Sequence, residues 1–320
     1  MGVLVEADRL RKTFGAITAV DDISLRVTQG EVLGFLGPNG AGKSTTMKML
    51  TGFLEPDSGS ARIGGLSVAD HPKEAKARIG YLPEGAPAYG DMTPWSFLGF
   101  IAELRGYSGE AKSARVHAAV SRTGLDTVVN QRIETLSKGF KRRVGLAQAI
   151  LHDPPVLIMD EPTDGLDPNQ KHHVRNLIKE MARDKAIIVS THILEEVEAV
   201  CTRAVVIDRG RIVADGTAEE LQRRMPDHNA VALKVEAARA GEIADAVASL
   251  AGVDRVDRKT AAEGKILLRA IPKAGAAIAA DVAGLLGARS LPVLEMYVER
   301  GRLDDVFRQI TTHEGRSSHA

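Results

Sequence analysis

The chain has 320 residues, of which 44% are hydrophobic and 26% charged, a composition typical of a soluble globular protein. Its 42 basic and 42 acidic side chains balance, so no overall field attracts nucleic acid or an anionic membrane surface. Cys201 is the only cysteine, which excludes an internal disulfide and favours a reducing compartment. The first residues lack a basic segment followed by an apolar one, so we expect no secretion signal, and the most apolar stretch, 274–288, is too short to span a bilayer.

Two segments near the start alternate apolar and polar residues, which predicts half-exposed strands at 3–9 and 17–28. Between them, residues 12–15 predict a turn that carries the aromatic ring of Phe14. Two interpretations of Phe14 stay open: it stacks on an adenine ring, or it anchors the loop in the core.

Residues 37–45, Gly-Pro-Asn-Gly-Ala-Gly-Lys-Ser-Thr, fit the phosphate-binding pattern G-x-x-x-x-G-K-[ST]. An apolar run at 32–36 predicts the buried strand before it, and 44–50 predicts the helix after it. Glycines let backbone N–H groups close around phosphate oxygens, and the helix N-terminus adds a partial positive charge. Lys43 would reach the β- and γ-phosphates and Ser44 would coordinate Mg²⁺, so the loop predicts binding of a nucleoside triphosphate.

The rest of the first 225 residues predicts an α/β core with a helical insertion. Apolar residues recur at helical spacing over 93–151, which predicts a mostly helical subdomain. Continuous apolar runs at 156–159 and 186–189 are typical of central parallel strands. Further strands are predicted at 60–63, 79–84, 204–208 and 211–214, and a helix at 218–224 closes this domain, 1–225.

The C-terminal part, 226–311, predicts a small α+β domain. Its strands and helices alternate as βαββαβ, at 231–235, 240–251, 253–258, 265–269, 275–286 and 294–298. This order is that of a ferredoxin-like sandwich, a unit of about 85 residues that folds alone. A final helix is predicted at 303–311, and residues 312–320 predict a polar, frayed tail.

Asp160 and Glu161 follow the predicted strand 156–159, at the edge where an α/β sheet binds its ligands. Asp160 would hold Mg²⁺, directly or through water, and Glu161 would accept a proton from an attacking water. The alternative is a pair of solvated acids that starts a turn. His192 follows the neighbouring strand, so it would reach the same edge, contact the γ-phosphate and orient Glu161. The other histidines lack metal-ligand spacing and are interpreted as solvated or structural.

Residues 136–139 lead into a helix predicted from Phe140. Ser137 is either an ordinary N-cap of this helix or a functional residue, and its residue type fits both. The favoured interpretation of the basic residues in this region is a solvated helix face, with a nucleic-acid patch as the alternative. These residues are Lys138, Lys141, Arg142 and Arg143.

Together these features resemble the ATP-binding-cassette (ABC) ATPases over residues 3–224. Six ordered motifs carry the resemblance: the A-loop aromatic Phe14, the Walker A loop 37–45, the signature 136–140, the Walker B strand 156–161, the D-loop 165–167 and the switch histidine His192. The resemblance implies a P-loop NTPase cassette, with a mixed-sheet α/β core and a helical subdomain.

Two departures from the family pattern point to a subgroup. The signature reads Leu-Ser-Lys-Gly-Phe instead of Leu-Ser-Gly-Gly-Gln, although Ser137 and Gly139 remain. At the Q-loop, Glu84 replaces the usual glutamine, so it accepts hydrogen bonds but cannot donate them as an amide would. Both replacements, and the segment 303–307, look like those of ATPase subunits of ABC-2-type exporters, particularly the group similar to the gliding-motility-associated ATPase.

The resemblance also implies the residues of the site. Catalytic roles fall on Glu161, His192 and Lys43, and Mg²⁺ would be bound by Ser44, Asp160 and Glu84. ATP would contact Phe14, Gly37, Pro38, Asn39, Gly40, Ala41, Gly42, Lys43, Ser44, Thr45, Glu84, Ser137, Gly139, Asp160 and Asp167.

Partners follow from the same resemblance. Two ATPase subunits, as a homodimer, would pair head to tail, and each ATP would lie between Walker A of one subunit and Ser137 and Gly139 of the other. The segment 84–95 would contact a separate integral membrane permease. The chain would then be cytoplasmic and peripheral on the inner face of the cell membrane, and it would bind no nucleic acid.

Two other functions are weighed against an exporter subunit. A soluble ABC ATPase acting on DNA or the ribosome would need a long coiled coil or zinc modules between Ser44 and Leu136, or a second cassette, and the sequence has none of these. A degenerate subunit that does not hydrolyse ATP would lack Lys43, Asp160, Glu161 or His192. Two interpretations of the C-terminal domain stay open: it stabilises a dimer or acts as a spacer, or it is a regulatory domain that senses the substrate or a partner. Selectivity for the transported substrate is expected to lie mainly in the permease.

Overall fold

The computed structural model describes residues 2–223, 227–262, 264–273 and 276–299. The chain divides into two compact units, with the boundary between Asp215 and Gly216. In the described residues of the first unit the strands are β1 (Val3–Phe14), β2 (Ile17–Thr28), β3 (Val32–Leu36), β4 (Ser58–Ile63), β5 (Leu66–Ser67), β6 (Ile79–Leu82), β7 (Val156–Asp160), β8 (Ala186–Thr191), β9 (Arg203–Asp208) and β10 (Arg211–Gly216). The helices are α1 (Lys43–Leu50), α2 (Pro72–Ala77), α3 (Pro94–Leu104), α4 (Gly109–Arg122), α5 (Lys138–Ile150), α6 (Pro168–Met181) and α7 (Leu194–Val200).

A six-stranded sheet in the order β10-β9-β3-β8-β7-β6 forms the centre of this unit. From β9 to β6 its strands are parallel. Every residue of β3, β7 and β8 is buried, as expected of parallel strands that are covered on both faces. Because parallel strands end at one edge, the segments after β3, β7 and β8 meet there.

A second sheet, in the order β2-β1-β4-β5, is antiparallel. The turn predicted at 12–15 is wrong in its position, because β1 stays paired with β2 until Phe14 lies opposite Ile17. Gly15, with φ +59°, makes the tight turn instead. Apolar residues of β1, β2, α1 and the central strands share one core, which fixes this sheet against α1.

The predicted helical subdomain consists of α3, α4 and α5, with short 3₁₀ turns between α4 and α5. An apolar core of its own includes Phe97, Leu98, Val120 and Val144. The Thr93 hydroxyl accepts a hydrogen bond from the Ser96 N–H at the start of α3, where Pro94 fits the first turn. In the described residues, no helix combines the length and the apolar character needed to cross a membrane.

The second unit contains an antiparallel sheet of four strands. Its described elements are α8 (Ala218–Gln222), β11 (Ala230–Glu236), α9 (Ala240–Ala248), β12 (Val253–Ala262), β13 (Lys265–Pro272), α10 (Ala279–Ala288) and β14 (Glu295–Glu299). The strand order is β12-β13-β11-β14. Val231, Leu233 and Val235 alternate along β11 and share an apolar core with α9 and α10.

Some predicted boundaries in this unit differ from the structure. β12 continues beyond residue 258 to Ala262, because its polar end pairs with β13. α10 begins at Ala279 instead of residue 275, and no side chain caps it, so the sequence offered no signal for its start. The helix predicted at 303–311, the segment 303–307 and the tail 312–320 lie outside the described residues.

Candidate functional site

The loop between β3 and α1 wraps tightly. Gly40 and Gly42 adopt positive φ angles of +81° and +106°. A Cβ on Gly42 would lie 2.3 Å from the carbonyl oxygen of Ala19, and one on Gly37 would lie 2.6 Å from that of Ile207. Gly42 is the N-cap of α1, so the first N–H groups of this helix remain available to an anion. These glycines therefore allow backbone to surround a phosphate where any side chain would collide.

Lys43 is buried at the start of α1, with 7% of its surface exposed. Its Nζ donates hydrogen bonds to the carbonyl oxygens of Gly37 (2.6 Å) and Pro38 (3.1 Å). Burial lowers the pKa of Lys43, while the negative charges of Glu161, Asp160 and Glu84 oppose that shift. The ammonium group is thus held against the loop, close to three carboxylates.

A cavity of about 280 Å³ lies between this loop and the ends of β6 and β7. Its lining contains nine of the predicted site residues and also Ala19 of β2, which the sequence did not suggest. The lining residues are Ala19, Asn39, Gly40, Gly42, Lys43, Ser44, Thr45, Glu84, Asp160 and Glu161. Of the remaining loop residues, Gly37 and Pro38 bind Lys43, and Ala41 is buried in the core. The loop and the acidic side chains therefore do meet in one place.

Glu161 and His192 are in direct contact beside this cavity. Nδ1 of His192 lies 2.7 Å from Oε1 of Glu161, and it is the donor because a carboxylate only accepts. Glu161 has a φ of +51°, an unfavourable backbone conformation for a residue with a side chain. Its N–H donates to the Ser190 carbonyl of β8 at 3.0 Å. This left-handed turn after β7 brings the carboxylate to the cavity.

Asp160 is almost fully buried, with 1% of its surface exposed. The Ser190 hydroxyl donates to its Oδ1, whereas its Oδ2 is buried without a hydrogen-bond partner. An unpaired buried carboxylate oxygen is costly, so a cation or an ordered water fits this position. In the residues that the structure describes, no group of three or more His, Cys, Asp or Glu could hold a metal ion by itself. A cation here would need ligands from elsewhere, such as a phosphate and Ser44.

Outside the loop 37–45, four predicted ATP contacts do not line the cavity. Ser137 is the N-cap of α5, with its hydroxyl accepting from the Phe140 N–H at 3.3 Å, and its functional role stays a prediction. Asp167 caps α6 in the same way, accepting from the Gln170 N–H at 2.9 Å. Gly139 packs so closely that a Cβ would lie 2.8 Å from Gln170. Phe14 is half-exposed at 51%, with Lys12 Nζ 5.9 Å from its ring centroid.

The prediction of a solvated basic face on α5 is wrong for two of its four residues. Arg142 and Arg143 are buried, at 4% and 8% exposure. They lie three and four residues after the buried Gly139, on the same helix face as Leu146 and Ala147. Helical periodicity could therefore have identified them. Lys138 does lie on the surface, where it pairs with Asp164 at 2.8 Å.

Glu196 of α7 is a buried carboxylate that the sequence analysis also missed. The Thr191 hydroxyl at the end of β8 donates to it at 3.2 Å, and the Thr163 hydroxyl, after β7, donates as well. Its Oε1 lies 3.5 Å from Lys171 Nζ. Glu196 thus joins the segments that carry Glu161 and His192.

Comparisons with known proteins agree with this geometry. The family model described as ABC transporter matches residues 20–164. The linearmycin resistance ATP-binding protein LnrL of Bacillus subtilis (strain 168) is 36% identical over 79% of this chain and 81% of its own length. The Nod factor export ATP-binding protein I of Paraburkholderia xenovorans (strain LB400) is 39% identical over 68% of this chain and 72% of its own.

A solved structure shares the fold of the first unit. It is a dimeric ATP-binding cassette in a post-hydrolysis state, bound to ADP and Pi. The match has a TM-score of 0.63 and 22% identity, and it covers 67% of this chain and 98% of the other. The two relatives show that the chain belongs to the ATP-binding proteins of ABC transporters, which hydrolyse ATP to drive transport.

Proposed function

We propose that this chain is the ATPase subunit of an ABC-2-type exporter, with Glu161 as the general base. The observation that carries the proposal is the convergence of Lys43, Asp160 and Glu161 on one cavity, with His192 bonded to Glu161. Export is supported by the similarity to a resistance protein and to a Nod factor export protein, together with the replacements at Lys138 and Glu84.

In this proposal the phosphates of ATP lie along residues 37–45. Backbone N–H groups at the start of α1 bind phosphate oxygens, and Lys43 exchanges its hydrogen bonds to the loop carbonyls for the β- and γ-phosphates. Glu161 accepts a proton from the attacking water as its oxygen approaches the γ-phosphorus, and His192 orients that carboxylate. Phe14, half-exposed, offers a ring for the adenine.

Mg²⁺ fits the donor set at this cavity. Ser44 and the unpaired Oδ2 of Asp160 are oxygen donors, and Glu84 supplies a further carboxylate. Mg²⁺ favours such a site, with few protein ligands beside phosphate and water oxygens. When bound, it would neutralise charge on the β- and γ-phosphates.

The signature side of the site would come from a second copy of the chain. Ser137, Gly139 and Asp167 are absent from the cavity lining of their own chain, and the first two begin α5. A helix N-terminus attracts the γ-phosphate of an ATP held by the partner subunit. We therefore expect ATP to hold two copies together until hydrolysis removes the γ-phosphate contact.

Residues 84–95 and the following α3 would contact the permease. Tyr89 is 56% exposed, and its ring packs edge-on against Phe97 and Phe100. Beside it, Met92, Trp95 and Phe100 belong to the lining of a cavity of about 500 Å³. Exposed aromatic surface of this kind is typical of protein interfaces. Docking there would hold the chain on the cytoplasmic face of the membrane, with no nucleic acid among its partners.

The C-terminal unit is proposed to be a ferredoxin-like domain over 226–311, following a cassette domain over 1–225. Its described elements run β11-α9-β12-β13-α10-β14, and the strand order β12-β13-β11-β14 supports this assignment. Both helices share the core of the sheet, as in an α+β sandwich.

The decisive experiment compares Glu161→Gln with the wild type in ATP hydrolysis and in solution mass, with and without Mg-ATP. Loss of the base should lower kcat by about 100-fold or more, while ATP binding persists. The variant should be a monomer alone and a stable dimer with Mg-ATP, because the γ-phosphate is no longer removed.

The matched control is Glu195→Gln, the same substitution at an exposed position of α7. The Glu195 side chain is 80% exposed. It should hydrolyse ATP and dimerise as the wild type does. Normal hydrolysis by Glu161→Gln would show that another group is the base. A variant that binds ATP yet stays monomeric would show that pairing needs a different cassette subunit or the permease.

A further inference from the structure

Two adjacent buried arginines of α5, Arg142 and Arg143, contact different parts of the first unit. Both lie in the helix that begins with the signature residues. Both are nearly inaccessible to water, at 4% and 8% exposure. Burial of a guanidinium is costly unless its N–H groups find acceptors, so the acceptors show what each arginine holds. Nε of Arg143 is buried without an acceptor, whereas its Nη1 has two.

Arg142 donates to three main-chain carbonyl groups around the cavity. Its Nε lies 2.9 Å from the Glu161 oxygen, and its Nη1 lies 3.0 Å from the Pro83 oxygen. Its Nη2 donates to the carbonyl oxygens of Asp160 and Glu161. One side chain therefore joins α5 to the segment after β7 and to the residue before Glu84.

Arg142 contacts the carbonyl of Glu161, a residue whose backbone conformation is unfavourable. A φ of +51° needs support from neighbouring structure in a residue other than glycine. On one side, the Glu161 N–H donates to the Ser190 carbonyl; on the other side, its carbonyl accepts from Arg142. The direction of the Glu161 carboxylate depends on this backbone conformation, so Arg142 acts on the carboxylate without touching it.

Arg143 makes its contacts within the helical subdomain. Its Nη1 donates to the carbonyl oxygens of Gly124 (2.8 Å) and Thr123 (3.4 Å), and its guanidinium lies 4.1 Å from the Phe140 ring centroid. It has the same charge, length and helix as Arg142, with similar burial. It is therefore a matched control for the general cost of disturbing α5.

We propose that Arg142 is a positioning residue, which holds the backbone of Glu161 in its left-handed conformation and links it to α5 and to Pro83. The inference rests on the proposed role of Glu161 as the base. Because α5 begins with Ser137, the link joins the signature and the base of the same chain. A shift of α5 would move the carbonyl groups of Asp160, Glu161 and Pro83 together.

The test measures steady-state hydrolysis of Mg-ATP by Arg142→Lys and Arg142→Gln beside Arg143→Lys and Arg143→Gln. Lysine keeps the charge but loses the planar fork that reaches several carbonyls at once. Both Arg142 variants should lower kcat by about 10- to 100-fold, because a small displacement of a catalytic group has that effect. Their KM for ATP should stay within about two-fold of the wild type, since substrate contacts are intact.

Each alternative outcome is distinct. Similar losses of kcat in the Arg142 and Arg143 variants would overturn the proposal, because α5 would then act only through its packing. A raised KM with an unchanged kcat, or wild-type kinetics, would overturn it too. Thermal unfolding of all four variants identifies any that fail to fold. If Arg142→Gln does not fold, Arg142→Lys carries the test, because it keeps the charge and most of the volume.

A double variant separates this proposal from the assignment of the base. In a Glu161→Gln background, single-turnover hydrolysis should fall by less than about two-fold on adding Arg142→Lys, because the group that Arg142 orients is already gone. A further fall as large as in the wild-type background would overturn the positioning role. Normal hydrolysis by Glu161→Gln alone would instead overturn the assignment of Glu161 as the base. Normal kinetics of the Arg142 variants, with Glu161→Gln inactive, would overturn only the positioning role of Arg142.

Discussion

The Walker side and the signature side of the site differ in how far one chain completes them. Lys43 and Asp160 are buried, and both face a single cavity with Glu161. Ser137 and Asp167, by contrast, are exposed and bond to the first turns of their own helices. One chain thus assembles a cavity from side chains held by the core, whereas its signature side presents exposed helix N-termini away from that cavity. The difference supports the proposal that the second half of each site comes from another chain.

The largest effect is expected from mixing two inactive variants. Lys43→Ala removes the buried ammonium group, and Ser137→Asp keeps an N-cap residue while adding a negative charge beside the γ-phosphate. Each variant alone should lose hydrolysis by about 100-fold or more. A mixture should regain about a quarter of wild-type activity, because half of randomly paired dimers are mixed and one of their two sites is intact. Hydrolysis at equal total protein is the measurement.

Ser137→Asn is the control for this mixture, because asparagine caps the helix without adding charge. It should retain far more activity than Ser137→Asp. If both variants still dimerise but their mixture stays inactive, Lys43 and Ser137 act within one chain. That result would contradict a site shared between two chains.

A smaller effect is expected at His152, a residue outside the cavity whose protonation should change the stability of the fold. Nε2 of His152 lies 3.1 Å from the Ile79 carbonyl oxygen at the start of β6, the opposite end of that strand from Glu84. Burial, with the positive charge of Arg105, lowers the pKa of His152 from 6.5 to about 4. The unfolded chain therefore binds the proton first as the pH falls, and stability is lost between about pH 6.5 and pH 4.

From pH 7 to pH 5, this residue should cost the wild type about 1 to 2 kcal/mol of unfolding free energy, after allowance for partial exposure. His152→Gln should lack that part of the pH dependence. Denaturant unfolding of both proteins at pH 7 and pH 5 measures this change in unfolding free energy. Identical pH dependence in the two proteins would mean that His152 is protonated equally in the folded and unfolded states.

The sequence predicted the cavity well because its residues are fixed by local rules. A phosphate loop between a buried strand and a helix, and acids after the next apolar strand, need only strand direction to be brought together. Asp160, Glu161 and His192 follow adjacent parallel strands, and the structure brings them to one edge. The strands of the central sheet were predicted for the same reason.

Residues whose surroundings are set by distant parts of the chain escaped prediction. Charge suggested that Arg142 and Arg143 face solvent, whereas burial on α5 depends on the segments that pack there. Ala19 of β2 lines the cavity, and its small apolar side chain carries no signal. Glu196 resembles its exposed neighbours in α7, and only the fold brings it to Thr191 and Thr163. Such positions depend on long-range packing.

The smallest effect is expected at the signature itself. Lys138 and Asp164 form an ion pair at 2.8 Å with 71% and 47% side-chain exposure, and the Lys138 hydrogen bond lowers the pKa of Asp164. Exposed pairs contribute little, so Lys138→Gln should change the unfolding free energy by less than about 1 kcal/mol. Lys185 is the contrasting case, because its buried side chain bonds to Asp153 at 2.7 Å.

Lys185→Gln should cost more, about 1.5 to 3 kcal/mol, because a hydrogen-bonded charge is lost from a buried position. Denaturant unfolding of both variants at low and high salt tests which substitution costs more unfolding free energy. Only the small effect of Lys138→Gln should vanish in high salt. If Lys138→Gln proved the more damaging, the exposed ion pair at the start of α5 would contribute more to stability than the ion pair of the buried Lys185. In the proposed composite site, a loosely held signature side suits the ATP of a partner subunit, because groups already bound within the chain would have to be released before they could bind phosphate.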